Sequence, residues 1–188
     1  KVPSSMELFQ QDRENADLYK DFASTLYEVD DKSVSKEQRQ VGKVAHLGLG
    51  FGAGAKTFQR VAKLMGGVDI DLDESKDIVD TWRRAYPEIT IGWRTCHKAL
   101  PTIIQGASGG ALDPWGMVYP IPEGLQTPKG IIRYPNLRIE TNEEDGRKEF
   151  VYGTTHRSAR IYAGKIDENI VQHLARCVVA DNALEIRR

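Results

Sequence analysis

The chain has 188 residues, 40% of them hydrophobic and 28% charged, which suits a soluble globular protein of one domain or one and a half small ones. A formal net charge of −1 speaks against a free-standing nucleic-acid binder held by bulk charge, although a local basic stripe remains open. Cys96 and Cys177 lack metal-ligand spacing, and with no apolar run of about 18 residues and no secretory pattern, a reduced cytoplasmic protein with no membrane partner is expected.

The first helix is expected within MELFQQDRENADLYKDFASTLY, where Leu18, Phe22 and Leu26 recur at helical spacing. A polar turn over residues 30–35 follows, and Ser35 with Gln38 three residues on forms a capping-box pattern for the next helix. That helix, about residues 36–54, carries Arg39, Lys43, Leu47 and Phe51 at four-residue steps. Each step drifts only about 40° around a helix axis, so the four keep to one side. Two cations followed by two apolar side chains could hold a triphosphate and then a base. Gly42, Gly48, Gly50 and Gly52 each cost about 1 kcal/mol against Ala in a helix interior, so the pattern asks for a reason such as close approach by a ligand.

The same letters allow a rival reading. VAHL could be a short strand, and Gly48-Leu49-Gly50-Phe51-Gly52-Ala53 fits the dinucleotide fingerprint, with Asp69 and Asp71 in a later VDIDL strand as ribose ligands. Residues 55–65 read as helix either way. An amphipathic helix is expected over residues 73–86, with Ile78, Val79 and Trp82 inward, and Pro87 interrupts it before ITIGWRTCHKALPTI resumes. Residues 106–130 are dense in glycine and proline and read as mostly turns and irregular chain. IIRYPNLRIE and KEFVYG, separated by NEEDG, read as a β-hairpin. The last segment reads as a helix with Ile170, Leu174, Val178 and Ala183 on one face. The expected fold class is α+β, predominantly α-helical, with a helical region over 1–130 and a hairpin plus C-terminal helix over 131–188.

Taken together, these blocks resemble a known family. Arg39-x3-Lys43-x3-Leu47-Gly48-x2-Phe51-Gly52 resembles the motif B helix of family A (DNA polymerase I type) DNA polymerases. ENADLYKDFASTLY before it, and AYPEITIGWRTCHKAL and YAGKIDENIVQHLARCVVAD after it, are similar to the phage-type branch in the same order. The resemblance implies the fingers region with flanking palm segments. It implies that Arg39 and Lys43 bind the triphosphate of the incoming deoxynucleotide, that Leu47 faces its sugar and base, and that Phe51 lies near the templating base. Gln172 would touch the minor groove near the primer end, where an amide meets an acceptor common to every base pair. Gly52, Glu168, Asn169, Arg133 and Tyr134 would lie along the primer-template. His46 reads as a surface or packing histidine.

The chain departs from the family pattern in several places. Leu47 stands where the family commonly has an aromatic, and Pro128-Lys129-Gly130-Ile131 replaces the usual Pro-Ser-Gly-Arg, so that arginine is missing. The Asp-Tyr-Ser-x-x-Glu and His-Asp-Glu blocks, whose aspartates hold two Mg²⁺ ions in the family, do not occur. The expectation is an inactive fragment with no catalytic residue of its own. Its parent would use Mg²⁺ and combine it with DNA, deoxynucleoside triphosphates and the remaining palm and thumb, in a bacterial or phage-infected cell. The start at Lys-Val-Pro-Ser-Ser suggests a processed, trimmed or excised piece. A stand-alone nucleic-acid-binding module and a dinucleotide-cofactor-binding domain are the alternatives.

Overall fold

Asp17 opens the first described helix, α1 (Leu18–Tyr27), because its carboxylate accepts from the otherwise unpaired amides of Tyr19 and Lys20 at 3.1 and 3.2 Å. The computed structural model describes residues 17–154 and 157–186. They divide into two compact units between Thr90 and Ile91. The described chain is mainly helical with two small antiparallel sheets, an α+β arrangement as the sequence pattern predicts. Among the described residues no helix is long and apolar enough to cross a membrane.

In the first unit, α1 ends at Glu28 in the left-handed conformation, and a short 3-10 turn over Asp31–Ser33 leads to α2 (Lys36–Leu49). The capping box forms as its letters predict: the Gln38 amide donates to Ser35 Oγ at 3.2 Å, and the Ser35 amide donates to Gln38 Oε1 at 2.9 Å. Val41, Val44, Ala45 and Leu49 turn inward and pack in a core with Phe22, Phe58, Ile78, Val79 and Trp82. The chain then runs through α3 (Ala55–Gly66) and α4 (Leu72–Ala85), the latter capped by Asp71, which accepts from the Glu74 amide at 2.8 Å.

This arrangement removes the premise of the dinucleotide reading. Residues 44–47 lie inside α2, residues 67–71 form no strand, and Asp69 pairs with Lys63 at 3.2 Å while Asp71 is spent on a cap. Gly42 and Gly52 also have a structural explanation. A Cβ on Gly42 would overlap the Tyr19 carbonyl oxygen, so this residue lets α2 approach the α1 backbone, and no ligand is needed to account for it. Gly52 sits past the helix end at φ 85°, where its amide bonds the Leu49 carbonyl at 3.0 Å.

Helix α5 (Pro87–Ile104) starts at proline, whose missing amide hydrogen costs nothing in a first turn. In the second unit its residues Cys96, Ala99, Leu100 and Ile103 build a core with Val118, Leu125, Tyr134, Ile161 and Ile166. Two meanders flank that core. One contains β1 (Tyr119–Ile121), β2 (Gly124–Thr127) and β3 (Gly130–Arg133); the other contains β4 (Arg138–Thr141), β5 (Lys148–Thr154) and β6 (Arg157–Ile161). Residues 106–130 are thus not all turn. The expected hairpin forms across NEEDG, where β4 pairs with β5, Arg138 opposite Val151, but its first strand is shorter than expected: Ile131–Arg133 belong to β3, which pairs with β2, Leu125 opposite Ile132. Pro135 between β3 and β4 has no amide hydrogen to continue a ladder, and the chain changes sheets there. The boundary expected at 130/131 therefore falls inside β3.

The last helix is α6 (Ala163–Ile186). Ile166 is buried and Ile170 packs on the core, whereas Val178 and Ala183, read as sharing a face with Ile170, are exposed.

The close α1–α2 contact sets a clear mutational expectation. Gly42→Ala forces the two helices apart and should destabilise the first unit by about 1–3 kcal/mol, the usual range for overpacking. Urea unfolding followed by circular dichroism measures this; a midpoint equal to that of the unsubstituted chain would mean that the contact is not tight.

Candidate functional site

Because residues 41, 42, 44, 45 and 49 of α2 face the core, the remaining face of that helix is left to solvent. Lys43 is exposed on it, and Leu47 is 54% exposed. Between α2 and α3 runs a groove of about 200 Å³ lined by Gln40, Lys43, Val44, Leu47, Gly48, Val61 and Met65. Gln40 Nε2 donates to the Gly66 carbonyl at 3.3 Å and ties α2 to the end of α3. Lys43 makes no ion pair among the described residues. The groove therefore joins an apolar wall to an uncommitted ammonium, a combination suited to an amphiphilic anion that carries a flat or aliphatic body and a phosphate.

The other two residues of the stripe are placed differently. Phe51 lies in the turn beyond α2, 37% exposed and outside the groove lining. That turn is anchored on α4, where Arg83 Nη2 donates to the Ala53 carbonyl at 3.3 Å and Ser75 Oγ to the Ala55 carbonyl at 2.7 Å. Gly52 occupies the same turn. Arg39 sits one turn before Lys43, half-buried, with Nε donating to Asp17 Oδ2 at 2.7 Å and its guanidinium 5.2 Å from the Tyr19 ring centre. Burial pushes the Asp17 carboxyl up, but the Arg39 hydrogen bond, the Lys20 and Tyr19 amides and the arginine charge outweigh it and hold the carboxyl below its ordinary value.

His46, which like Arg39 meets the Tyr19 ring, is a packing residue, one of the two roles its sequence context allows. Its ring meets Tyr19, Trp82 and Tyr86 edge-on, with centres 6.2, 6.2 and 5.1 Å away. Its Nδ1 is buried with no hydrogen-bond partner, and burial holds the imidazole below its ordinary pKa.

In the second unit, α6 presents Asn169, Gln172, His173 and Arg176 along a shallow depression of about 460 Å³ that Ile132 also lines. Gln172 is exposed, and its Nε2 donates to Glu168 Oε1 at 3.0 Å. Glu168 also accepts from Lys165 Nζ at 2.7 Å, so its carboxylate is engaged along the helix and is not part of the lining. Asn169 Nδ2 donates to the Tyr134 hydroxyl at 3.2 Å. Tyr134 itself is fully buried, its hydroxyl pushed up to about 12 chiefly by burial; it belongs to the core and does not lie along a duplex. Arg133 is exposed, pairs with Glu123 at 3.3 Å and stands outside the depression. His173 Nε2 lies 2.9 Å from Thr127 Oγ1, which ties α6 to the β2–β3 turn.

Two features were not marked by local pattern. Arg176 stands four residues beyond Gln172, a spacing that reading α6 as a helix makes available. Asp17 is 22 positions from Arg39 and only the folded chain brings them together. Cys96 and Cys177 are free thiols, and burial together with the charge of Asp167 pushes the Cys96 thiol up to about 12. Among the described residues no group of three or more His, Cys, Asp or Glu side chains is placed to hold a metal ion. No protein-family model matches the sequence, and no curated protein matches it.

The His46 environment generates a pH expectation. A histidine whose folded pKa lies below its unfolded value, near 6.5, takes up its proton more readily in the unfolded chain. Its contribution is complete above that pH and is lost as the pH falls from there toward the folded pKa. Unfolding midpoints should drop as the pH is lowered through about 6.5, and His46→Phe, which keeps an aromatic ring in the cage, should flatten the drop. An unchanged pH profile in His46→Phe would assign the loss to other groups.

Proposed function

We propose that this chain is the fingers region, with flanking palm segments, of a phage-type family A DNA polymerase, and that α2 receives the incoming deoxynucleoside triphosphate. The observation that carries the reading is the groove shared by Lys43 and Leu47. A point charge and an aliphatic wall one helical turn apart match a phosphate and the sugar–base portion of one nucleotide. Arg39 one turn earlier extends the cationic end, and Phe51 in the anchored turn extends the apolar end toward the place of a templating base. The depression along α6 would meet the primer-template, with Gln172 and Asn169 offering amides and Arg176 a phosphate partner. Leucine at position 47, smaller than an aromatic, would leave a looser wall around the sugar.

In this reading the parent enzyme works in the cytoplasm of a bacterial or phage-infected cell, and Mg²⁺ is held by palm residues outside the set described above. The share of this piece is binding and orientation, through charges placed where phosphate charge sits. A narrower reading, a stand-alone nucleic-acid-binding module, is favoured by the α6 depression alone; it requires duplex binding that weakens steeply with salt and no response to nucleotide.

The test is calorimetric titration of the chain with deoxythymidine triphosphate and, separately, with a short primer-template. A hydrogen bond to a charged group is worth about 1.5–3 kcal/mol, so Lys43→Ala should weaken nucleotide binding by roughly ten- to a hundredfold while leaving DNA affinity nearly unchanged. Lost DNA binding with normal nucleotide affinity would place Lys43 on a nucleic-acid backbone instead.

A further inference from the structure

The Arg39 guanidinium is gripped on two sides and open on a third. Its Nε edge is held by Asp17 at 2.7 Å, and one flat face lies over the Tyr19 ring at 5.2 Å. No hydrogen bond from its two terminal nitrogens, Nη1 and Nη2, is made among the described residues. Both gripping residues come from the start of α1. Asp17 is itself immobilised, because it accepts from the Tyr19 and Lys20 amides as the helix cap. The Gly42 contact then brings the Tyr19 backbone hard against α2. Arginine–carboxylate pairs are frequently bidentate. This one takes the Nε donor and leaves the forked edge unused.

We infer that Asp17 and Tyr19 form a positioning clamp for Arg39, which presents the Nη edge of the guanidinium to the terminal phosphates of a triphosphate. The inference rests on the nucleotide-binding reading of α2 and deepens it: Asp17, an acid, favours the binding of an anion. Two physical effects oppose each other here. The negative charge of Asp17 lowers the local potential for phosphate, while fixing the guanidinium spares the ordering cost that a free arginine side chain would meet on binding. With the Nε edge occupied and the Nη edge free, the ligand and the carboxylate do not compete for the same donors, and orientation prevails. Asp17 is a positioning residue; it does not touch the ligand.

The probe is inorganic tripolyphosphate, titrated into the chain and its variants alongside thermal unfolding. Arg39→Ala should weaken binding. Asp17→Ala should weaken it by about fivefold, the scale of one net hydrogen bond, yet add nothing further in the Arg39→Ala background, a coupling that a merely structural role would not produce. Asp17→Asn keeps a good helix cap and so guards against loss of α1; it should melt like the unsubstituted chain and still bind the probe more weakly. If Arg39→Ala weakens binding while Asp17→Asn binds as well as or better than the unsubstituted chain, the clamp is overturned and the nucleotide reading stands. If neither Arg39→Ala nor Lys43→Ala alters tripolyphosphate affinity, the nucleotide reading falls and the clamp falls with it.

Discussion

The approach of α1 to α2 at Gly42 is the constraint from which the rest of the first unit follows. Without a side chain at that position, the Tyr19 carbonyl meets the α2 backbone directly. That contact fixes which face of α2 is inside, and the 3.6-residue repeat then puts Lys43 and Leu47 outside. It also sets the start of α1 beside the start of α2, so that Asp17 reaches Arg39. Packing and chemistry are therefore one decision: the glycine that closes the helix pair also exposes the stripe.

The same logic explains why a chain with net charge −1 can offer a site for an anion. Bulk charge is nearly balanced, but the pairing is uneven. Lys63, Lys76, Lys129 and Lys165 each lie beside a carboxylate, whereas Lys43, like Lys20, Lys32, Lys36, Lys56, Lys98 and Lys148, makes no ion pair among the described residues. An unpaired ammonium next to an apolar wall is less screened than one in open water. On α6 the pattern is reversed: Glu168 is occupied by Lys165 and Gln172, and the depression is lined with amides, an imidazole and a single arginine. A surface of that kind reads geometry through hydrogen bonds more than it attracts charge.

Much of this was legible in the letters. Ser35 and Gln38 announce the α2 start, Pro87 the break between α4 and α5, and the four-residue recurrence from Arg39 the stripe of Arg39, Lys43 and Leu47, although Phe51, counted in it, lies in the turn beyond α2. What stayed hidden was tertiary. The glycines of α2 fit a phosphate-binding turn as well as a helix, and only the position of Tyr19 decides for Gly42. The strands over 119–127 lie in a glycine- and proline-rich stretch whose propensities point to turns, and their partner Leu125–Ile132 packing overrides them. IIRYPNLRIE looks continuous, yet Pro135 divides it between two sheets. Arg39 reads as a free cation until Asp17, far away in sequence, is placed beside it.

Nuclear magnetic resonance of methyl-labelled chain during titration with deoxythymidine triphosphate decides whether the α2 face receives a nucleotide. A base or sugar seated in the groove places its ring and hydrogens against Leu47 and Met65, so the methyl signals of these two residues should move together and saturably. Those of Leu184, exposed on α6, should not move. Signals that move at Leu184 alone, or at no methyl up to millimolar nucleotide, would contradict the assignment of α2 as a nucleotide-binding surface.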